Sequence, residues 1–410
     1  MILNSDSGFA MRRFARFSAL NLAFIAALYF VHSTNAAEHQ TTVTNHSVCK
    51  GVEYFHKQVS SVPWSIHVLR VERGRRHLGM VSTVPDGKRL GLTKLSEQMP
   101  FIPAEFGKAV AAINGDFFSW RVGPYQGDPA GLQIMNGELV SGPHSLEVVS
   151  HPSQSAAVWV DGRGRLHTDE VRSRFQIVWP DGSLTPFGLN EERDEDEIVL
   201  YTRIAGVSTR TTNGVELVLE RAGKGPWLPL RPGEIYNCRV VEISGPNTPV
   251  KSNQLVLSIG TKAKKYLAPL SSGIELTLST AMSCDIKGAF TAMGGGPVLV
   301  QGGKDRKLPD PIRHPRAAVG WNDKYLYFVV VDGRREGVSD GMSHAELARE
   351  MISWGCSDAM NLDGGASAML WIHGEIKNQP SENRERPNAN SLFIMEKKRW
   401  LGWSPAALRR

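Results

Sequence analysis

Two stretches decide the reading of this chain: Tyr325-Leu326-Tyr327-Phe328-Val329-Val330-Val331-Asp332 and Ala359-Met360-Asn361-Leu362-Asp363-Gly364-Gly365. The first is a continuous apolar run, as expected of a strand buried on both faces. The second is a shorter strand ending in an acid and two glycines. Between them, Ser343-His344-Ala345-Glu346 has the form of a helix-capping box, with Leu347, Met351, Ile352 and Trp354 at helical spacing and Gly355 as a stop. Strand 325–331, helix 343–354 and strand 359–362 therefore read as a βαβ unit with parallel strands. Parallel strands end at one sheet edge. Asp332 and Asp363 are thus expected together at the carboxyl edge, where open α/β sheets bind ligands.

Working outward, Ala109–Ile113 is another short apolar run, and Asp116 after it is a third acid for the same edge. Gly364-Gly365 allows a ligand to approach the backbone, and successive amides can form an anion-binding nest. Gly294-Gly295-Gly296-Pro297 is a second such turn. His314-Pro315-Arg316 leads into Ala317–Val319, which places a guanidinium suited to bidentate phosphate contact near the edge. A strand-end aspartate or a Gly-Gly pair alone is as readily a turn. The joint order of these motifs is what favours a site.

The rest of the chain frames that unit. Residues 37–60 read as a polar lead-in, and Trp64–Val71 as a strand. Residues 121–145 form a Gly- and Pro-rich loop with a hairpin at Asn136-Gly137. From 150 to 285, short β-like runs alternate with Asp-Gly and Asn-Gly turns. The acidic cluster Glu191–Glu197 reads as a solvated loop. The expected class is α+β: β-rich mixed sheets with the C-terminal βαβ unit forming the active-site edge. The expected division is 1–36 signal, 37–108 lead-in and strands, 109–396 main domain with 150–285 its β-rich middle, and 397–410 tail.

Composition narrows the function. Hydrophobic residues make up 41% and charged residues 21%, which fits a globular chain with a real core. Met11-Arg12-Arg13-Phe14-Ala15-Arg16, the apolar Leu20–Val31 and the small residues of Thr34-Asn35-Ala36 have the order of a secretory signal. Cleavage near Ala37 or Glu38 is expected, giving a periplasmic or secreted protein with no integral membrane span. Residues 1–36 carry three arginines against one aspartate, so their removal lowers the net charge from +6 to +4. That bias suits an anionic small substrate and is no nucleic-acid footprint. Cys49, Cys238, Cys284 and Cys356 lack C-x-x-C spacing, which argues against a zinc knuckle or a redox dithiol; their pairing stays open.

At its motif positions the chain resembles the phosphodiester glycosidase family. The matching pieces are Asn114-Gly115-Asp116-Phe117-Phe118, Gly294-Gly295-Gly296-Pro297, His314-Pro315-Arg316-Ala317-Ala318-Val319-Gly320, Asp332-Gly333-Arg334, Asn361-Leu362-Asp363-Gly364-Gly365 and Arg386-Pro387-Asn388-Ala389-Asn390. One departure is Ala366, where the family often carries a third glycine. The resemblance implies hydrolysis of a sugar-1-phosphate diester. Asp363 is then the first choice to activate water or stabilise an oxocarbenium-like centre, with Asp116 and Asp332 as alternatives. Arg316, His314 and the amides around Gly295, Gly296, Gly364 and Gly365 would hold the phosphate. Asn114, Ser367 and Asn390 complete the candidate substrate-binding set. No cofactor is required, although a divalent cation bridging the acids is an alternative. Two other functions stay open: a non-catalytic envelope glycan-binding protein, and a phosphodiesterase that attacks phosphorus.

Overall fold

The computed structural model describes residues 41–143, 155–266 and 269–397. The expected signal, residues 1–36, lies outside the described residues, as does all but the first residue of the expected tail. The chain is β-rich and only 8% helical, and the described residues form four sheets. No helix among the described residues is long and apolar enough to cross a membrane.

One eight-stranded sheet carries the run that opened the sequence reading. Its order is Thr41–Cys49, Val52–Val59, Trp64–Glu72, Tyr325–Val331, Arg316–Trp321, Asp358–Asn361, Val298–Gln301 and Lys304–Asp305. Residues 37–60, read as a lead-in, thus contain two strands. Alternation gave no signal for Thr41–Cys49 because the strand is exposed along most of its length. The strands at 325–331 and 358–361 run in the same direction but do not touch. Arg316–Trp321 lies between them, antiparallel to both. The two strands of the expected βαβ unit are thus parallel but not neighbours, with an antiparallel strand between them.

The helix His344–Ser353 has the full capping box: the Ser343 hydroxyl accepts from the Glu346 amide, and the Glu346 carboxylate accepts from the Ser343 amide at 2.9 Å. Leu347, Ala348 and Met351 are fully buried against Ala318, Val329 and Val331 of the sheet. Leu347 and Met351 each contribute about 1.5–3 kcal/mol on burial. The apolar stripe therefore fixes the helix on this face, and the cap fixes where it starts.

A five-stranded sheet joins Leu78–Thr83, Ser391–Glu396, Lys108–Asn114, Leu370–Ile372 and Glu375–Ile376. Another joins Glu138–Ser141, Gln133–Met135, Thr291–Gly295, Ala156–Val160 and Leu166–Glu170. Its hairpin turns at Asn136 and Gly137, both at positive φ as a type I′ turn requires. These two sheets share one core with the eight-stranded sheet, built from residues such as Leu69, Met80, Ile113, Val158, Met293, Val319 and Phe328. The fourth sheet holds only strands between 176 and 279, from the β-rich middle, and shares a second core with the Thr291–Gly295 sheet, whose Ile134, Leu139, Trp159 and Ala292 pack with Leu217, Leu257 and Leu278. All four cysteines are unpaired thiols.

Candidate active site

Three sheets deliver their strand ends to one place. Lys108–Asn114 ends just before Asp116, Thr291–Gly295 runs into Gly296, and Asp358–Asn361 ends just before Asp363. The ends are stitched by hydrogen bonds. The Asn114 side chain donates to the Asp363 carbonyl at 2.7 Å, and the Asp363 amide donates to the Gly115 carbonyl at 3.0 Å. The Gly296 amide donates to the Asn361 carbonyl at 2.7 Å, and the Asn361 side chain donates back to the Gly296 carbonyl at 2.8 Å.

Asp363 is half-buried at this junction. Burial pushes its carboxyl up to about 6, while Ser367, Arg386 and the Gly364 amide pull the other way by favouring the charged form. Asp116 is buried. Its Oδ1 accepts from the Phe117 amide at 2.8 Å, and its own amide donates to Asn390 Oδ1 at 2.8 Å. A Cβ on Gly294 would lie 2.2 Å from Asp116 Oδ2, and one on Gly131 2.8 Å from it. Glycine at both positions is what gives this carboxylate room.

Three further groups bring positive or hydrogen-bonding character. Arg334 is exposed and donates to His314 Nδ1 at 3.3 Å; its guanidinium also lies beside Gly365. Because arginine only donates, Nδ1 must accept, which leaves the proton on Nε2. Burial, then Arg316 and Arg334, hold His314 below its ordinary value, so the ring is neutral near pH 7. Arg386 acts on Asp363 and sits over the Phe118 ring, 5.6 Å from its centroid.

Comparison with known proteins bears on exactly this region in sequence terms. Residues 233–395 match the phosphodiester glycosidase family. That span contains Gly294–Gly296, His314, Asp332, Arg334, Asn361–Gly365 and Arg386. It stops short of Asn114 and Asp116, which the fold sets beside it. A Bacillus subtilis (strain 168) relative, the SPbeta prophage-derived uncharacterized protein YomE, is 32% identical over 115 residues, or 26% of this chain and 18% of that protein. A hypothetical protein from Synechocystis superposes with a TM-score of 0.67 and 17% identity, covering 87% of this chain and 64% of that one. The chain thus spans less than two thirds of either protein's length. A Burkholderia pseudomallei K96243 protein, named for suspected export, superposes with a TM-score of 0.66 and 16% identity, covering 87% and 97%. These superpositions show a shared fold.

Several residues around this junction have duties other than those the sequence suggested. Arg316, expected to hold phosphate, is buried with its nitrogens occupied. Nε donates to the Met342 carbonyl, Nη1 to His344 Nε2, and Nη2 to Asp310 Oδ2 and the Ile312 carbonyl, all at 2.8–3.1 Å. His344, held at about 4 by burial and by Arg316, passes the contact on from Nδ1 to Asp310 at 3.0 Å. Arg316 is therefore a clamp that seats the segment carrying His314.

Asp332 is likewise enclosed. Oδ2 accepts from Ser65 and His67, each at 2.9 Å, and Oδ1 accepts from the Gln379 amide at 2.8 Å and from Asn378 at 3.3 Å. Burial pushes its carboxyl up, but these donors outweigh it and leave it below its ordinary value. It is a fixed anion that ties the 378–379 loop to the sheet. Asn114 and Asn390 act as staples: the Asn114 side-chain oxygen accepts from the Met369 amide at 3.0 Å, and the Asn390 side-chain nitrogen donates to the Gln133 side-chain oxygen at 3.0 Å. The Gly296 and Gly365 amides are taken by Asn361 and Pro315 carbonyls. Gly295 is buried within its strand, and Ser367 is buried below Asp363.

Sequence reasoning gave no role to Arg334 or Arg386, although both lie within the quoted motifs. Their signal was available: each is an arginine within four residues of a motif acid or amide. Asp128 was missed outright. It is buried in the segment following Asp116, and burial pushes it up to about 7. Among the described residues, no group of three or more His, Cys, Asp or Glu side chains is arranged to hold a metal ion.

Proposed function

We propose that this chain is an exported hydrolase that cleaves the bond between the anomeric carbon of a sugar and a phosphodiester oxygen. The observation that carries the reading is a half-buried Asp363, raised to about 6, with Arg386 acting on it and Arg334 beside the adjacent Gly365. A base must be charged near the working pH yet still gain from taking a proton, which a value near 6 provides. The family match over 233–395 supports the same chemistry.

In this mechanism the substrate phosphate lies against Arg334, Arg386 and the Nε2–H of His314. Those groups meet the negative charge that grows as the phosphate monoester departs. Monoester phosphate is a good leaving group, so the reaction makes little demand on a general acid. Asp363 takes a proton from the water that attacks the anomeric carbon, and Asp116 supplies fixed negative charge to the oxocarbenium-like centre. The steps use no cofactor; a divalent cation between Asp116 and Asp363 is the alternative, and loss of turnover in EDTA with recovery on adding metal would establish it. Export is supported by the order of basic, apolar and small residues in 11–37. N-terminal sequencing of protein from the periplasm or medium should begin at Ala37 or Glu38.

The test of the reaction is hydrolysis of a panel of synthetic sugar-1-phosphodiesters in oxygen-18 water. Label in the sugar is the expected result. Label in the phosphate would mean attack at phosphorus, and no turnover with retained binding would mean a glycan-binding protein.

A further inference from the structure

From Phe117 to Ala130 the chain leaves the site and returns as a paired arm. The Ala130 amide donates to the Phe117 carbonyl at 2.8 Å, Phe118 bridges Pro129, and the Ser119 amide donates to the Asp128 carbonyl at 2.9 Å. Asp116 stands at the outgoing root of this arm. Gly131, which backs onto Asp116 Oδ2, stands at the returning root. Any shift of the returning limb therefore moves the wall behind that carboxylate.

The arm is gripped from outside by one side chain of the β-rich middle. Arg210 donates to the Pro124 carbonyl and, at 3.2 Å, to Asp128 Oδ2, and its guanidinium lies 4.5 Å from the centroid of the Tyr125 ring. The Tyr125 hydroxyl donates back to the Thr209 carbonyl at 3.0 Å. Arg210 is held in the left-handed backbone region, at φ 62°, which costs energy for a non-glycine residue. The surrounding turn over-determines that conformation. Fully buried Glu216 accepts from the Thr209 hydroxyl at 3.0 Å, the Thr211 hydroxyl at 2.7 Å and the Thr248 amide at 2.8 Å. A rigid, strained presentation of one guanidinium to three points on the arm is more than surface packing needs.

We infer that Arg210 is a positioning residue for the hydrolysis proposed above: it clamps the 117–130 arm and thereby fixes Asp116 and its Gly131 wall. The inference rests on that functional reading only for its effect on rate. Asp128 gives the clamp a signature of its own. Its carboxyl faces Arg210, with Glu191 and Glu192 acting on it at longer range, and its Oδ1 has no hydrogen-bond partner among the described residues. Burial dominates and holds it near 7, while Arg210 pulls it down and the two glutamates push it up. An opened arm returns Asp128 to water and to its ordinary value. Closure is thus favoured while the carboxyl is protonated, and weakens as pH rises through about 7.

The test is amide hydrogen exchange of the 117–130 segment at pH 5 and pH 8, corrected for intrinsic exchange, alongside turnover. Wild type should be more protected at pH 5, and Asp128→Asn, neutral throughout, should abolish the difference. Arg210→Met should speed exchange in this segment about tenfold to hundredfold, as loss of a charge-assisted contact does. It should also lower kcat more than it raises KM, and Arg210→Lys should recover part of both effects because it keeps the charge without the planar fork. Tyr125→Phe, which removes the hydroxyl's bonds to Thr209 and Tyr201 and keeps the ring under Arg210, should move exchange in the same direction and serves if Arg210→Met fails to fold. Unchanged arm exchange in Arg210→Met or Tyr125→Phe overturns the clamp, as does a wild-type pH difference that survives in Asp128→Asn. Exchange needs no substrate, so a wild type that turns over nothing would count against the hydrolase reading while leaving the clamp tested.

Discussion

Replacing Asp363 by Asn separates a chemical role from a structural one, because the two predict stability changes of opposite sign. The carboxyl rises from an ordinary 3.8 to about 6 in the folded chain. That rise corresponds to at most about 3 kcal/mol. The side chain is only half-buried, so screening reduces this to roughly 1–2 kcal/mol. A carboxyl whose folded value is raised contributes fully below the unfolded value and loses that contribution as pH rises through the folded value. Wild type should therefore lose stability between about pH 4 and pH 6 from this group, and Asp363→Asn should remove that slope. At pH 7 the variant should melt no lower than wild type, and higher by the equivalent of about 1 kcal/mol, while turnover of a sugar phosphodiester falls about a hundredfold to ten-thousandfold. The assays are paired thermal melts at pH 4 and pH 7 and initial rates from pH 5 to 8, where wild-type kcat should fall below about pH 6. A variant that melts lower at pH 7 but keeps its rate per folded molecule would show that Asp363 caps the strand end and that the site reasoning is wrong.

Arg334→Ala should raise KM about tenfold or more with little change in Tm, and the wild-type advantage should shrink as salt is added, because the guanidinium is exposed. Arg316→Ala should behave in the opposite way, losing roughly 1–3 kcal/mol of stability in denaturant melts because it leaves the Met342 and Ile312 carbonyls and His344 Nε2 without their donor and empties a buried clamp; normal Tm with lost phosphate affinity would restore Arg316 as a direct ligand. Glu195→Gln should shift Tm and rate within error, since Glu195 is exposed and its ion pair with Lys262 is exposed as well.

What the sequence made legible were features with local causes. The apolar run at 325–331 had to be a buried strand, and Ser343 with Glu346 had to start a helix, whatever they packed against. The meeting of Asp116, Gly294 and Asp363 followed from motifs placed at strand ends. What could not be read were partners chosen by tertiary structure. Nothing in Arg316-Ala317-Ala318-Val319 says that this strand slips between 325–331 and 358–361. Arg316 and Asp332 were the right residue types for a site. Only the fold shows that Asp310, His344, Ser65 and His67 already occupy them. Thr41–Cys49 escaped notice because an edge strand exposed on both faces has no hydrophobic alternation to show. The pair Asp128 and Arg210, 82 residues apart, has no sequence signature at all.

The stitching of the strand ends has a consequence for how activity returns during refolding. The bond from Asn114 to Asp363 spans 249 residues, and that from Asp116 to Asn390 spans 274. Contacts of such separation close large loops and form slowly, after local helices and hairpins. A chain with most of its secondary structure, its capped helix and its middle sheet in place would still lack the proposed pair of Asp116 and Asp363. Regain of turnover should therefore lag behind regain of far-UV dichroism, and a nick or deletion that releases the strand Ser391–Glu396 should silence the protein before it unfolds the rest.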